Sequence, residues 1–268
     1  EKHPTTLGKS NSFAQASTLE MYDPDRARGV KFEGNKVDWN EYLKFAKSLN
    51  DGNGKGLAVL MQESSSPTIK SIQEDFKKNL PNADWVVYES VNNENLYDGI
   101  ELAFSKRLQP LYRLEKAQII VSLGSDFLGV DDNNIYHTRK FAQNRNIVDE
   151  NSTMNRLYVA ESSISSTGSS ADHRLNIPQY EMENLLAELA YELKQLGLRI
   201  EAKKVKSSNN LWVKAAAKDL FDGRGESIII GGSSLSKEFH QLIALINYNL
   251  KAPVDYYPLN LSLIHISE

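Results

Sequence analysis

Three short stretches carry the side chains that could do chemistry, and each follows an apolar run. The first is Ser122-Leu123-Gly124-Ser125-Asp126. Gly124 allows a tight turn and a close approach, and Ser125 offers a hydroxyl and a backbone N–H. The second is ESSISSTGSSADHR, beginning at Glu161. Glu161 stands where an acid can accept from a ribose hydroxyl, while Ser162, Ser163, Ser165, Ser166 and Thr167 can donate to phosphate oxygens. The third is Gly231-Gly232-Ser233-Ser234. All three also have a plain reading, a strand-to-helix turn capped by a Ser or Asp side chain.

Other chemistries have less support. Asp172-His173-Arg174 suggests a catalytic pair, but no nucleophile elbow accompanies it, and adjacent strand residues point to opposite faces. A structural contact of Arg174, with Asp172 or with backbone, is the expectation. The glycine fingerprint of nicotinamide enzymes is absent. The chain has no cysteine, which removes thiol nucleophiles and cysteine-held iron–sulfur centres from these residues. Its five histidines are scattered, so no metal site is expected. A formal charge of −4 leaves no basic excess for nucleic acid. No apolar run approaches the ~20 residues of a membrane span.

Alternating helices and strands must position these exits. Asp38-Trp39-Asn40-Glu41 fits a capping box opening a helix with Trp39, Tyr42, Leu43, Ala46 and Leu49 on one face. A strand over 57–61 follows, then a helix opened by Ser66-Pro67, with Ile69, Ile72, Phe76 and Leu80 inward. Strands are predicted at 85–88, 118–122, 157–160 and at ESIIIGG. Helices are predicted around Leu96–Phe104, Ile135–Ala142, Met182–Leu196, 210–221 and Phe239–Leu250. Strands apolar on both faces and separated by helices imply a parallel sheet covered on both sides. The fold class is α/β, doubly wound, mostly parallel and Rossmann-like. In such sheets ligands bind beyond the carboxyl ends of the strands. Residues 1–36 read as an extended wrapping segment and 37–260 as one incomplete domain. The last eight, LSLIHISE at 261–268, read as a sequencing-adapter scar. A chain starting EKHPTTLG without methionine is expected to lack both of its natural ends.

The exits, in this order, resemble those of the molybdopterin oxidoreductases. In that group a Gly-Ser-Asn-Pro-like turn, an Asp-Pro-Arg followed by Thr and Ala-Asp, and a glycine pair hold one guanine dinucleotide half of the cofactor. The matching positions are Gly124-Ser125-Asp126, Glu161-Ser162-Ser163 with Thr167 and Ala171-Asp172, and Gly231-Gly232. A closer resemblance rests on three blocks: PTTLGKSNSFAQASTLEMYDPDR at 4–26, LQPLYRLEKAQIIVSLGSDFLG at 108–129, and MNRLYVAESSISSTGSSADHRLNI at 154–177. These look like the B subunits of bacterial alternative complex III, over nearly the whole chain up to Asn260.

The resemblance implies a scaffold domain in a periplasm-facing, quinol-oxidising complex. Its partners would be cytochrome c and integral membrane quinol-binding subunits, and its export signal would lie outside these residues. It implies no cofactor in this part, with iron–sulfur clusters in a later, missing part. Relative to the active enzymes, Asp126 replaces a neutral amide, and Ser162-Ser163 replaces Pro-Arg. A carboxylate ~4 Å from a phosphate costs on the order of 4 kcal/mol at an effective dielectric of 20. The expectation is a vestigial cradle of Gly124, Ser125, Asp126, Glu161, Ser163, Thr167, Asp172, Gly231 and Gly232, with no cation beside Glu161. The alternative is an active periplasmic molybdenum enzyme holding a molybdopterin guanine dinucleotide at those same residues. A third reading is a free-standing α/β protein binding a small sugar or nucleotide.

Overall fold

The computed structural model describes residues 8–49, 52–62, 64, 66–150, 152–205 and 211–259. The segment 261–268, expected to be a scar, lies outside the described residues. The chain forms two compact units, which divide between Asn92 and Asn93.

The smaller unit, Asn11–Asn92, is sparsely packed. Helix α1 (Ser12–Glu20) starts where Asn11 Oδ1 accepts the Ala14 N–H at 2.8 Å, within a region expected to be extended. Strands β1 (Lys31–Phe32) and β2 (Asn35–Lys36) pair antiparallel across Glu33 and Gly34, both with positive φ, as tight hairpins require. Helix α2 (Trp39–Ser48) has half of the expected capping box. Asp38 accepts the Glu41 N–H at 2.9 Å, while the Glu41 carboxylate pairs with Lys44 at 2.8 Å. Strand β3 (Ala58–Met61), helix α3 (Pro67–Asn79) and strand β4 (Asp84–Val87) follow as predicted. The strands β3 and β4 form their own two-stranded parallel sheet, with Phe76 of α3 edge-on to Trp85 at 5.2 Å.

The larger unit contains Asn93–Leu259 and positions the three exits. Its elements are α4 (Glu94–Phe104), β5 (Leu108–Tyr112), β6 (Ile119–Leu123), α5 (Asn134–Gln143), β7 (Arg156–Glu161), a single turn α6 (Ser166–Ser169) and β8 (His173–Asn176). Then come α7 (Met182–Gln195), α8 (Leu211–Asp222), β9 (Ser227–Gly231), α9 (Lys237–Leu250) and β10 (Val254–Pro258). A four-stranded, fully parallel sheet has the order β8-β7-β6-β9. Alternate residues explain its double-sided burial. Val121, Leu123, Tyr158, Ala160 and Ile229 pack with residues of α7, α8 and α9; Ile120, Leu157, Val159, Ile228 and Ile230 pack with Leu114, Phe127 and Phe141. The α/β, Rossmann-like reading holds. Two features exceed it: β8 joins the parallel sheet, and β5 pairs antiparallel with β10. Pro110 within β5 obscures that strand in the sequence, and a two-stranded ribbon tolerates it at an edge.

Candidate functional site

The sheet order places a topological switch point between β6 and β9. Connections from β6 run through β7 to β8 on one side, and the chain then returns to place β9 on the other side of β6. Ligand crevices in open α/β sheets occur at such points. Here the two exits are joined to each other. Gly232 donates its N–H to Leu123 O at 2.9 Å, continuing the ladder one residue past β9. A Cβ on Gly232 would overlap the Gly124 carbonyl, and one on Gly231 would press on Ile243 and Phe239. The glycine pair is therefore required by packing against β6 and α9. Gly124 has φ +68°, a left-handed turn, and its N–H donates to Ala160 O at 2.8 Å.

Ser125, Asp126 and Thr167 tie the β6 exit to the β7 exit. Ser125 is buried and donates to Asp131 Oδ2 at 2.6 Å, and its carbonyl accepts from Ser122 Oγ at 2.8 Å. Burial raises the Asp131 carboxyl above its usual range, the Ser125 hydroxyl opposing this in part. Asp126 Oδ1 accepts both the backbone N–H and the hydroxyl of Thr167, each at 2.8 Å. Thr167 is fully buried, and its hydroxyl also accepts the Leu128 N–H at 3.0 Å. Asp126 thus faces α6 as an intramolecular cap.

Glu161 occupies the second exit in the same manner. It is 6% exposed and accepts Ser165 Oγ at 2.6 Å and Arg174 Nε at 2.5 Å. A cation does stand beside Glu161, correcting the expectation of none. Arg174 supplies it from β8, because Glu161 and Asn176 are register partners and Arg174 lies two residues earlier. Gly168 packs directly on the Glu161 carboxylate, which a Cβ would overlap. Ser163 is exposed and makes no hydrogen bond with the described residues.

Asp172 does not belong with this group. It accepts the Leu157 N–H at 2.7 Å and a two-pronged bond from Arg145, at 3.1 and 2.5 Å. Leu157 begins the sheet's amino end, so Asp172 sits at the edge opposite the exits. Its expected Arg174 contact is replaced by Arg145, because Arg174 turns to Glu161. Burial alone would raise the Asp172 carboxyl, but the Arg145 and Leu157 bonds outweigh it and hold it below the usual range.

Sequence reasoning missed His240, one residue into the second turn of α9. It is buried against Gly99 of α4 and Gly231 of β9, and neither ring nitrogen has a hydrogen-bond partner of ordinary geometry. Burial lowers its pKa to about 4. Its spacing from Ile243, Asn247 and Leu250 places it on the inward stripe, a signal present in the sequence. Among the described residues no group of three or more His, Asp or Glu is placed to hold a metal ion.

No protein-family profile matches the chain, and no curated protein matches it. Solved structures do. Acetylene hydratase from Pelobacter acetylenicus aligns with a TM-score of 0.59 at 12% identity, over 95% of this chain and 40% of that one. A chain of the formyltransferase/hydrolase complex FhcABCD from Methylorubrum extorquens, solved with methylofuran, aligns with a TM-score of 0.53 at 12% identity, over 87% of this chain and 60% of that one. This chain therefore spans less than two thirds of either structure. The likeness is one of fold, a mixed α/β architecture with a parallel sheet.

Several donors at the exits are already engaged within the chain. A pyrophosphate needs free N–H and hydroxyl donors and positive potential. Thr167 and Ser165 already donate to Asp126 and Glu161, and Gly124 and Gly232 donate to strand carbonyls. Asp126 and Glu161 thus place two carboxylates at the exits, each held by donors of the chain itself.

Proposed function

We propose that this chain is a non-catalytic α/β scaffold domain of a quinol-oxidising respiratory membrane complex of the alternative complex III type. One observation carries the reading: Asp126 and Glu161 bind, within the chain, the donors that a cofactor phosphate would engage. The three sequence blocks point to the complex, and the fold shared with acetylene hydratase accords with an inherited cofactor domain. In this reading the exits are kept because they lock β6, β7 and β9 together. Electron transfer belongs to iron–sulfur centres elsewhere in the polypeptide. The domain faces the periplasm, beside cytochrome c and integral membrane subunits.

The decisive experiment is a cofactor assay on the intact complex purified from membranes. Metal analysis should find no molybdenum in stoichiometric amount, and acid hydrolysis should release no stoichiometric GMP. Equimolar molybdenum together with GMP would overturn the proposal and favour an active molybdenum enzyme.

A further inference from the structure

The smaller unit exposes an aromatic helix face next to unpaired basic side chains. Helix α2 buries none of its ten residues. On a 3.6-residue period Trp39, Tyr42, Leu43, Phe45, Ala46 and Leu49 fall on one side, and Asn40, Glu41, Lys44, Lys47 and Ser48 on the other. Trp39 and Phe45 are 62% and 56% exposed. Trp39 and Tyr42 lie against each other with ring centroids 4.9 Å apart. Three residues earlier in the chain, the β1–β2 hairpin exposes Phe32 and sets Lys31 directly opposite Lys36.

Like charges facing each other across a hairpin are unfavourable unless an anion lies over them. The side chains of Arg26, Arg28, Lys31, Lys36 and Lys47 form no ion pair or hydrogen bond among the described residues. Residues 26–48 carry six basic and three acidic side chains, in a chain whose formal charge is −4. Within this stretch basic side chains outnumber acidic ones two to one, Asp23 and Asp25 lying just before it. Trp and Tyr favour the boundary between water and lipid, and lysine stems reach from an apolar layer to its charged surface.

From this combination we propose that α2 and the preceding hairpin form a docking surface for an anionic lipid bilayer. The helix lies in the plane of the interface, its aromatic side inserted among the acyl chains nearest the headgroups. Lys31, Lys36 and Lys47 lie among the lipid phosphates, while Lys44, paired with Glu41, faces the water side. A bilayer suits this surface because exposed aromatic residues follow one another along a helix that buries none of its residues, and the preceding hairpin adds lysines without an ion-pair partner among the described residues. The proposal concerns the smaller unit and does not rest on the cofactor reading of the larger one.

The test is co-sedimentation of the full chain with vesicles of phosphatidylcholine alone, or of phosphatidylcholine mixed with phosphatidylglycerol. The chain should pellet with the anionic vesicles and be released by high salt. Trp39→Ala with Phe45→Ala, and separately Lys31→Glu with Lys36→Glu, should each weaken partitioning by roughly tenfold or more. All four positions are exposed, so circular dichroism and thermal melting should match the parent. Equal recovery with both vesicle types would overturn the proposal, as would variants that partition like the parent. A lipid-free dimer that the Trp39→Ala and Phe45→Ala pair abolishes would also overturn it, making the face a protein interface.

Discussion

At the residue scale, the exits show how a carboxylate can act as a built-in ligand. Asp126 holds two donors of Thr167, and Thr167 in turn holds the Leu128 N–H, so a single oxygen joins two loops. Asp126→Ala should therefore cost about 1–3 kcal/mol, because Thr167 is fully buried and keeps an unpaired N–H and hydroxyl. Asp126→Asn retains an acceptor oxygen and should lose much less. Chemical denaturation of the three proteins checks the order, and equal losses for Ala and Asn would mean that charge rather than hydrogen bonding matters. Gly168→Ala addresses Glu161 from the other side. The new methyl overlaps the buried carboxylate, so a loss of roughly 1–3 kcal/mol is expected, measurable by the same denaturation curves. These roles were only partly legible in the sequence. The residue types at Gly124, Asp126, Glu161 and Thr167 marked the exits, but the side chains they bind lie 41 positions away for Asp126 and 13 for Glu161. Asp172 was misplaced because sequence order along ESSISSTGSSADHR hides the return of the chain to the amino edge before β8 begins.

At the element scale, the strands that could be read were those buried on both faces. QIIVS, LYVA and SIII are short apolar runs whose two-sided burial needs helices above and below, and the two cores on the sheet supply that cover. What could not be read was β8, whose HRLN is mostly exposed because it lies at the sheet edge, and β5, interrupted by Pro110. The opposite edge, β9, is closed by a device with no local signature. Asn247 of α9 accepts the Ile229 N–H at 2.9 Å and donates to the Ile229 carbonyl at 2.8 Å, taking the place of a further strand. Both groups are buried, so Asn247→Leu should leave a donor and an acceptor unpaired. A loss of about 2–4 kcal/mol follows, with a rise in aggregation on partial unfolding as the edge is freed. Equilibrium denaturation and light scattering measure the two effects. Retained stability would show that water or a neighbouring group satisfies Ile229 without the amide.

At the scale of the whole molecule, two buried histidines couple folding to pH. His137 lies among Tyr112, Phe127 and Tyr136, and His240 lies between α4 and β9; among the described residues neither ring makes a hydrogen bond of ordinary geometry, and the nearby backbone of Asp132 and of Gly232, respectively, only partly opposes the effect of burial. Burial lowers both pKa values from 6.5 to about 4. Between those values the unfolded chain binds protons that the folded chain does not, so stability rises with pH in that window and falls as the solution is acidified. Each histidine should remove on the order of 3 kcal/mol by pH 4. Asp131 acts in the opposite sense: its raised pKa lets the folded state take a proton first, which offsets part of the loss. Asp172 and Asp219, both held low, add their own loss only as pH falls through the carboxylate range. Urea denaturation from pH 7 to pH 4.5 should therefore show a continuous decline beginning near pH 6.5. His240→Leu, of similar size in an apolar setting, should leave stability at pH 7 within about 1 kcal/mol of the parent and remove close to half of that decline. A variant with the parent's full pH dependence would place the titration on other groups and show that His240 finds a partner for its proton in the folded chain.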